Sequence, residues 1–307
     1  MKISIIFLNY NRSDEINFSV ENTLLQNYSN FEIIVVDNNS SDDSVTKLKK
    51  NFANKITLFE SNENLGVAGG RNKGAELSSG DILVFIDDDA NFNNIECLSK
   101  IYNFFNKNNN LGVLGFKVLD VNGKVRDWVY NKNTLKHNNK IFLTNQYVGC
   151  GHAIRADLFN KLKGYSKKLF FWGEEIEFCM KVFKFTNLDI IYYPNVSITH
   201  RVSPNSRFHW SEKRMYYKVR NRFLINKMYL DDLYYYSLIN LAFGFMYLLF
   251  SLKHGSFIYY LKGIYDSFSP KYKLEPIDLK QNKKGSANYF KFFINQLKGN
   301  ITDYVKK

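Results

Sequence analysis

The stretch Ile82–Asp89, which reads ILVFIDDD, is the part of the sequence that decides the fold. Its first five residues are apolar and mostly β-branched or aromatic, which is typical of a strand buried on both faces. Asp87, Asp88 and Asp89 follow directly, and adjacent carboxylates repel one another unless water or a divalent cation compensates their charge. We therefore predict a buried strand, Ile82–Ile86, that ends in an acidic site. A solvated acidic turn or a helix N-cap is the alternative.

The sequence before this strand alternates between short apolar runs and helical periodicity. The predicted strands are Ile3–Leu8, Phe31–Val36 and Ile56–Phe59, and the predicted helices are Ser13–Leu25, Ser41–Phe52 and Gly66–Leu77. Near-continuous apolar strands between helices indicate an α/β fold with a parallel sheet covered on both faces. Ligands of such sheets bind beyond the carboxyl ends of the strands, so we expect the site at that edge.

The sequence after the acidic triplet is mixed. It predicts helices at Ile95–Phe105 and Glu174–Phe185, and strands at Leu111–Val118, Lys124–Tyr130, Tyr147–Ile154 and Leu188–Tyr193. Residues 201–230 have a basic-aromatic helical pattern, and residues 233–268 are strongly apolar and aromatic. A polar linker at 269–288 and a short amphipathic stretch at 289–297 follow. We therefore divide the chain into residues 1–230 and a C-terminal extension, 231–307.

Composition limits the classes of partner. The 307 residues carry a net charge of +13, which favours anionic partners such as phosphorylated substrates, anionic lipid or nucleic acid. The three cysteines, Cys97, Cys150 and Cys179, are odd in number and form no CxxC pair, so we expect neither a disulfide framework nor a zinc site. We recognise no signal peptide at the N-terminus and expect a cytoplasmic location.

Polar residues follow the first two predicted strands. Asn9, Asn11 and Arg12 come after the first strand, and Asp37 and Asn38 come after the second. Amide and carboxylate groups at neighbouring strand ends can bind a base edge and a ribose. Each group alone is weak evidence, because Asn and Asp are also common turn residues.

A glycine-rich stretch, Asn64–Asn72 (NLGVAGGRN), opens the third predicted helix. Gly69 and Gly70 would permit close approach of a ligand, a helix N-terminus can receive a phosphate, and Arg71 could pair with a diphosphate oxygen. The stretch is neither a Walker A loop nor GxGxxG. The alternative is that the glycines serve a tight turn and close helix packing.

Two further groups of candidate functional residues lie in the second half of the sequence. Trp172 precedes Glu174 and Glu175, a combination that offers a base and a stacking surface for a sugar. The alternative is an acidic first helical turn favoured by the helix dipole. His200 follows a strand-like run and could bind a divalent metal, although a lone histidine more often makes a structural hydrogen bond.

Taken together and in this order, these residues resemble the family 2 glycosyltransferases with a GT-A fold, particularly the bacterial rhamnosyltransferase-like and galactofuranosyltransferase-like members. The resemblance covers roughly residues 1–230. Its motifs are the Asn9-Tyr10-Asn11 start, Asp37-Asn38, the NLGVAGGRN stretch, Asp87-x-Asp89, Arg155-x-x-x-Phe159 followed by Gly164-Tyr165, Trp172 with its acidic pair, and His200.

The resemblance implies the fold and the roles of the donor-side residues. It implies a Rossmann-like, mostly parallel central sheet flanked by helices, with a helical, aromatic-rich C-terminal extension. Asp87 and Asp89 would bind Mn²⁺ or Mg²⁺ with the donor diphosphate, and His200 would be a further ligand. Asp88 would contact the donor ribose or sugar. The remaining donor-binding residues would be Asn9, Asn11, Arg12, Asp37, Asn38, Asn64, Gly69, Gly70 and Arg71.

The resemblance also implies an inverting transfer from a UDP- or dTDP-sugar to a glycan or lipid-linked hydroxyl. Glu175 would stand at the position of the general base, and Trp172 would contact the acceptor. In this chain the acidic pair is Glu174-Glu175, where the family has Glu-Asp or Asp-Asp, and the choice between the two glutamates stays open. Surface polysaccharide synthesis is the expected context.

The C-terminal third suggests where the enzyme works. Basic residues interleaved with aromatics at 214–223 precede the apolar run 233–268, which suits an amphipathic element on the inner face of the cell membrane. Packing on the core or assembly into a homo-oligomer is the alternative. A non-catalytic nucleotide-sugar-binding module and a nucleotidyltransferase are the rival functions. We expect no nucleic-acid binding, because no known module is recognisable and the site is acidic.

Overall fold

A computed structural model describes residues 1–130, 132–201, 212–230, 233–280 and 302–303. The strands are β1 Ile3–Asn9, β2 Phe31–Asp37, β3 Thr57–Glu60, β4 Ile82–Asp87, β5 Ala90–Phe92, β6 Leu111–Leu119, β7 Phe142–Leu143, β8 Gly151–Arg155, β9 Asp189–His200 and β10 Thr302–Asp303. The α-helices are α1 Ser13–Leu24, α2 Ser44–Phe52, α3 Gly66–Leu77, α4 Cys97–Lys107, α5 Lys132–Leu135, α6 Ala156–Lys161, α7 Glu174–Phe185, α8 Glu212–Tyr229, α9 Leu233–Lys253 and α10 Phe257–Ser267.

The strands form one sheet in the order β10-β7-β9-β6-β8-β4-β1-β2-β3, with β5 paired to β9. The half made of β4, β1, β2 and β3 is parallel, as the first ninety residues predict. In the other half, β8 runs antiparallel to both β4 and β6, whereas β6 and β9 are parallel. The prediction of an α/β fold with a central sheet flanked by helices is confirmed.

Both faces of the sheet are buried, as the near-continuous apolar strands indicate. Phe7 and Val84 pack into one hydrophobic cluster, with α1, α2 and α4. Ile6 and Phe85, their neighbours in sequence, pack into a second cluster on the opposite face. Because side chains alternate along a strand, a run without polar residues can fill two cores at once. This is why the parallel half is recognisable from sequence.

One predicted strand is absent. Residues Lys124–Tyr130 form no strand, and the structure records only a single bridge between Leu119 and Val125. The side chain of Asp127 accepts a hydrogen bond from the Val118 amide over 2.9 Å, so a carboxylate takes the place that a strand partner would occupy. The predicted strand Tyr147–Ile154 is shorter than expected and begins only at Gly151.

The C-terminal extension contains more than helices. Helices α9 and α10 lie within residues 231–307 and pack with α8, but β10 returns to the sheet and pairs antiparallel with β7. The predicted amphipathic stretch at 289–297 lies outside the described residues. None of the helices in the described part of the chain combines the length and apolar character needed to cross a membrane.

Candidate active site

Two strands that are distant in sequence bring three candidate metal ligands together. Strand β5 pairs antiparallel with β9 so that Ala90 lies opposite His200. This register places His200 Nε2 3.0 Å from Asp89 Oδ1. One ligand atom each from Asp87, Asp89 and His200 lies within 4.8 Å of the other two. Two carboxylate oxygens and an imidazole nitrogen at this spacing form a donor set that a divalent cation can share.

The third aspartate of the triplet has a different partner. Asp88 accepts a hydrogen bond from Arg12, whose Nη1 also lies 3.0 Å from Asp89. Burial raises the pKa of Asp88 to about 7, and Arg12 opposes that rise. The structure thus places Arg12, predicted to hold the nucleotide, against the acidic triplet, where its charge offsets the repulsion among the carboxylates.

The predicted nucleotide-side residues meet at the carboxyl ends of β1, β2 and β3. Asn9 Nδ2 donates to Asp37 Oδ1 over 2.8 Å, and Asn38 Nδ2 donates to Asn64 Oδ1 over 2.9 Å. Asn11 has a φ of 54° and accepts a hydrogen bond from the Ser41 amide. In the β1 register Leu8 lies beside Asp87 and Asn9 lies beside Asp37, so this group adjoins the acidic triplet.

The glycines of the NLGVAGGRN stretch belong to the first turns of helix α3. A Cβ on Gly70 would overlap the Leu8 side chain, and one on Gly69 would lie 3.0 Å from Leu65. Gly70 is therefore required for the close packing of α3 on β1, which is the alternative that the sequence left open. The assignment of Gly69 and Gly70 to donor binding stays a prediction.

Arg71 lies at the centre of the site and is 5% exposed. Its Nη1 donates to Glu174 Oε1 over 3.1 Å and to Glu175 Oε1 over 2.9 Å. Its Nη2 donates to Asp87 Oδ1 over 2.9 Å and to the Gly149 carbonyl over 2.8 Å. These four partners use four of the five N–H groups of the guanidinium, all of them on Nη1 and Nη2, and the contact with a diphosphate oxygen that the sequence suggested stays a prediction. The guanidinium joins the candidate metal ligands to the acidic pair.

The two glutamates of the pair occupy different environments. Glu174 is almost fully buried, whereas the Glu175 side chain is 18% exposed. Burial raises the pKa of Glu174 well above its usual range, and the neighbouring charge of Glu175 adds to the rise. Glu174 therefore favours its neutral form. Both glutamates contact Arg71, and of the two only Glu175 is partly exposed.

Trp172 begins the turn that leads into α7. It has a φ of 69°, and Gly173 after it has a φ of 95°, which glycine adopts without strain. Asn221 of α8 donates to the Trp172 carbonyl over 2.6 Å. The Arg222 guanidinium lies 5.6 Å from the Trp172 ring centroid. Helix α8 thus holds the segment that carries the acidic pair.

Two residues that the sequence analysis did not select also line the site. Trp128 is 56% exposed and its ring centroid lies 5.8 Å from that of His200. The sequence signal that could select Trp128 is a large apolar residue in a segment rich in turn residues, but the composition of Lys124–Tyr130 predicts a strand instead. A Cβ on Gly149 would overlap the Glu175 carboxylate. No local sequence signal marks Gly149, because its role depends on a residue of another element.

Comparison with known proteins supports the architecture and the family. The family model described as glycosyl transferase family 2 matches residues 4–191. An uncharacterized glycosyltransferase of Haemophilus influenzae is 36% identical over 112 residues, 36% of this chain and 37% of that protein. A glucosyl-dolichyl phosphate glucuronosyltransferase of Haloferax volcanii is 24% identical over 259 residues, 75% of this chain and 79% of its own. A UDP-Glc:alpha-D-GlcNAc-diphosphoundecaprenol beta-1,3-glucosyltransferase of Escherichia coli is 37% identical over 87 residues, covering 28% of this chain and 35% of that enzyme.

Two solved structures share the fold. The mannosyltransferase of Pyrobaculum calidifontis in complex with GDP-Man and Mn²⁺ superposes with a TM-score of 0.61 at 16% identity, covering 87% of this chain and 86% of that one. Residues 1–349 of TarS from S. aureus in complex with UDP-GlcNAc superpose with a TM-score of 0.60 at 21% identity, covering 89% and 83%. At these identities the likeness shows the fold alone.

Proposed function

The chain belongs to the family 2 glycosyltransferases and has their GT-A fold, and from this premise we propose an inverting transfer of a sugar from a nucleotide-diphosphate donor to a lipid-linked or glycan hydroxyl. The observation that carries the proposal is the contact of Arg71 with both Asp87 and Glu175. It joins a candidate metal-diphosphate site to a candidate base. We assign residues 1–230 to the transferase domain and 231–307 to an accessory extension.

We assign the donor to the carboxyl ends of β1, β2 and β4. Asp87, Asp89 and His200 fit Mn²⁺ or Mg²⁺, because hard oxygen ligands predominate and the ligand atoms lie within 4.8 Å. When bound, such an ion would supply Lewis-acid compensation of charge on the departing diphosphate. Asp37 and Asn9, joined by a hydrogen bond, would bind the nucleoside of a UDP- or dTDP-sugar. Mn²⁺ in the Pyrobaculum mannosyltransferase structure supports the metal assignment.

We assign the base to Glu175. A hydroxyl of the acceptor would give its proton to Glu175 as its oxygen attacks the anomeric carbon, and the nucleoside diphosphate would leave on the opposite side. Arg71 positions Glu175 by the 2.9 Å hydrogen bond, while buried Glu174 keeps its proton and supports Arg71. Holding both substrates in line supplies much of the remaining acceleration.

We assign the acceptor to the side of Trp172, with Trp128 on the donor-sugar side near His200. An exposed indole offers an apolar face on which a sugar ring can stack. Relatives named for dolichyl phosphate and diphosphoundecaprenol substrates support a lipid-linked acceptor. This acceptor class supports a role in surface polysaccharide synthesis and a location at the inner face of the cell membrane.

A donor panel tests the proposal. The full chain is incubated with UDP-, dTDP- and GDP-sugars in Mn²⁺, and both the thermal midpoint and nucleoside-diphosphate release are measured with and without a lipid-diphosphate sugar acceptor. We expect one donor class to raise the midpoint and to release diphosphate only with acceptor and metal. A midpoint shift without release would indicate a binding module. Release of inorganic pyrophosphate from a nucleoside triphosphate and sugar phosphate would indicate a nucleotidyltransferase.

A further inference from the structure

Helix α9 lies on the surface of the protein and exposes apolar side chains to its outside. Its exposed side is apolar over about four turns, with exposed fractions from 46% to 72% at Leu238, Leu241, Phe245, Met246, Leu249, Phe250 and Leu252. Its buried side contains Asn240, Gly244 and Ser251, and also Tyr247, which packs into an apolar cluster with α8 and α10. Ordinarily the apolar side of a helix faces the core and the polar side faces water.

The buried side of α9 is committed to contacts inside the protein. Asn240 Oδ1 accepts a hydrogen bond from Asn226 of α8 over 2.8 Å. Gly244 lies beside Phe223 of α8 and Tyr260 of α10. Rotation of α9 to bury its apolar side would break the buried amide pair, so the exposure of the apolar side follows from how the helix packs.

Helix α10 continues the same apolar surface. Ile258, Leu261, Tyr265 and Phe268 recur at helical spacing and are 76%, 49%, 78% and 61% exposed. The other side of α10, which includes Gly263, packs closely on α8. Contiguous exposed apolar surface of this extent marks an interface with an apolar partner. We call the exposed sides of α9 and α10 the apolar face.

We propose that the apolar face docks onto an anionic lipid bilayer, lying in the headgroup region without spanning the membrane. The charges around it complement such a surface: residues 212–267, which contain α8, α9 and α10, carry eight Lys or Arg against four Asp or Glu, and the whole chain carries a net charge of +13. Asp266 accepts a hydrogen bond from Tyr216, so part of its charge is screened from the surface. Basic residues beside an apolar, aromatic helix surface are what interfacial binding requires.

The apolar face is connected to the acceptor side of the site. The Arg222 guanidinium lies 4.3 Å from the Phe243 ring centroid on α9 and 5.6 Å from that of Trp172. A bilayer bound at α9 and α10 is therefore separated from Trp172 by one layer of helix. This part of the inference rests on the proposed function, because it means that a lipid-linked acceptor reaches Glu175 from the surface to which the enzyme is bound.

Liposome flotation of the full chain tests the docking without any sugar nucleotide. The liposomes are phosphatidylcholine with or without phosphatidylglycerol, and the variant is the triple substitution Leu241→Glu, Phe245→Glu and Leu249→Glu. We expect the unaltered chain to float with phosphatidylglycerol liposomes, and the variant to partition at least about tenfold less, since three apolar side chains are removed from the interface and three negative charges are added. The circular dichroism spectrum should not change, because all three positions are exposed.

The matched control carries the same charge change elsewhere on the surface. Leu25, Ile95 and Val121 are 67%, 56% and 66% exposed, and the triple substitution to Glu at these positions should float like the unaltered chain. Equal flotation of the α9 variant would overturn the proposal. So would an unaltered chain that stays unbound and sediments as a dimer which the α9 variant dissociates, because a second copy would then cover the apolar face. Diphosphate release with a water-soluble acceptor analogue tests the proposed function separately.

Discussion

Arg71 Nη1 donates a hydrogen bond to Glu175 Oε1 over 2.9 Å, across 104 residues of sequence. The same guanidinium contacts Asp87 and Glu174, so one buried cation joins three carboxyl groups. Burial alone would lower the Arg71 pKa, but Glu175, Asp87 and Glu174 together raise it. Arg71 therefore remains charged and holds the donor and acceptor sides of the site in a fixed relation.

Substitution of Arg71 should destabilise the fold. Arg71→Met keeps much of the side-chain volume but leaves buried Glu174 and its neighbours without their cation, and we expect a loss of about 3–5 kcal/mol in the free energy of unfolding. Urea denaturation measures it. Lys73→Met on the same helix is the control, because the ion pair of Lys73 is with the largely exposed Glu76 and its loss should cost under about 1 kcal/mol. Similar losses for both variants would contradict the central position of Arg71.

Substituting Glu174 and Glu175 one at a time should show which of the two is the general base. Glu175→Gln should lower kcat by about 10²–10⁴-fold while the donor still raises the thermal midpoint, because a neutral amide cannot accept the acceptor proton. Glu174→Gln should have a much smaller effect, since the amide resembles the protonated carboxyl that burial favours. The reverse order of the two losses would move the base to Glu174.

Gly149→Ala should disturb Glu175 without disturbing the fold. Gly149 has no positive φ, so alanine fits its backbone, but the new Cβ would overlap the Glu175 carboxylate. Because the end of a glutamate side chain moves easily, we expect kcat to fall at least about tenfold with little change in the thermal midpoint. Gly123→Ala is the control: no atom lies within 4 Å of its Cβ, and despite the strain of its φ of 74° it should leave kcat unchanged. Full activity in Gly149→Ala would separate Glu175 from catalysis.

Loss of a candidate ligand should weaken metal binding. Asp89→Asn should raise the Mn²⁺ concentration needed for half-maximal activity by at least about tenfold, because one charged oxygen ligand is lost. Excess EDTA should abolish transfer by the unaltered chain. Titration of activity with Mn²⁺ checks both, with exposed Asp43→Asn as control. Undiminished transfer in EDTA would remove the metal from the mechanism.

Acid should destabilise the protein through His152. Burial lowers the pKa of His152 well below its ordinary value of 6.5, and the charge of Arg71 lowers it further. The folded protein thus keeps His152 neutral while the unfolded chain takes up a proton, so stability is lost as the pH falls below about 6.5, by up to about 1.4 kcal/mol per pH unit.

Comparing the unaltered chain with the His152→Phe variant isolates the contribution of His152 to the loss of stability in acid. His152→Phe cannot take up a proton and preserves a ring beside Phe85, while Tyr165 keeps Tyr147 as a neighbour for its hydroxyl. Urea unfolding at pH 7.5, 6.5 and 5.5 should show a shallower loss of stability in the variant. Parallel curves would assign the acid sensitivity to other groups.

The parallel half of the sheet was predictable because its signals are local. Apolar runs such as Ile3–Leu8 and Ile82–Ile86 ended where the strands end, apart from one residue, since a strand buried on both faces leaves no room for polar side chains. The strand predicted at Lys124–Tyr130 was wrong, because Asp127 bonds to the β6 amide from a loop. Its β-type composition carries no information about that hydrogen bond.

The sequence by itself determined the α/β class, the edge of the sheet that carries the site, and the acidic triplet at the end of β4. Only the tertiary structure decided that Arg71 contacts Glu175 and that Asp89 contacts His200. It also decided that the apolar side of α9 is exposed. The physical reason is that these two kinds of information act over different distances along the chain. Hydrophobic periodicity and turn chemistry act over a few residues, whereas contacts between side chains about a hundred residues apart depend on strand register and helix packing.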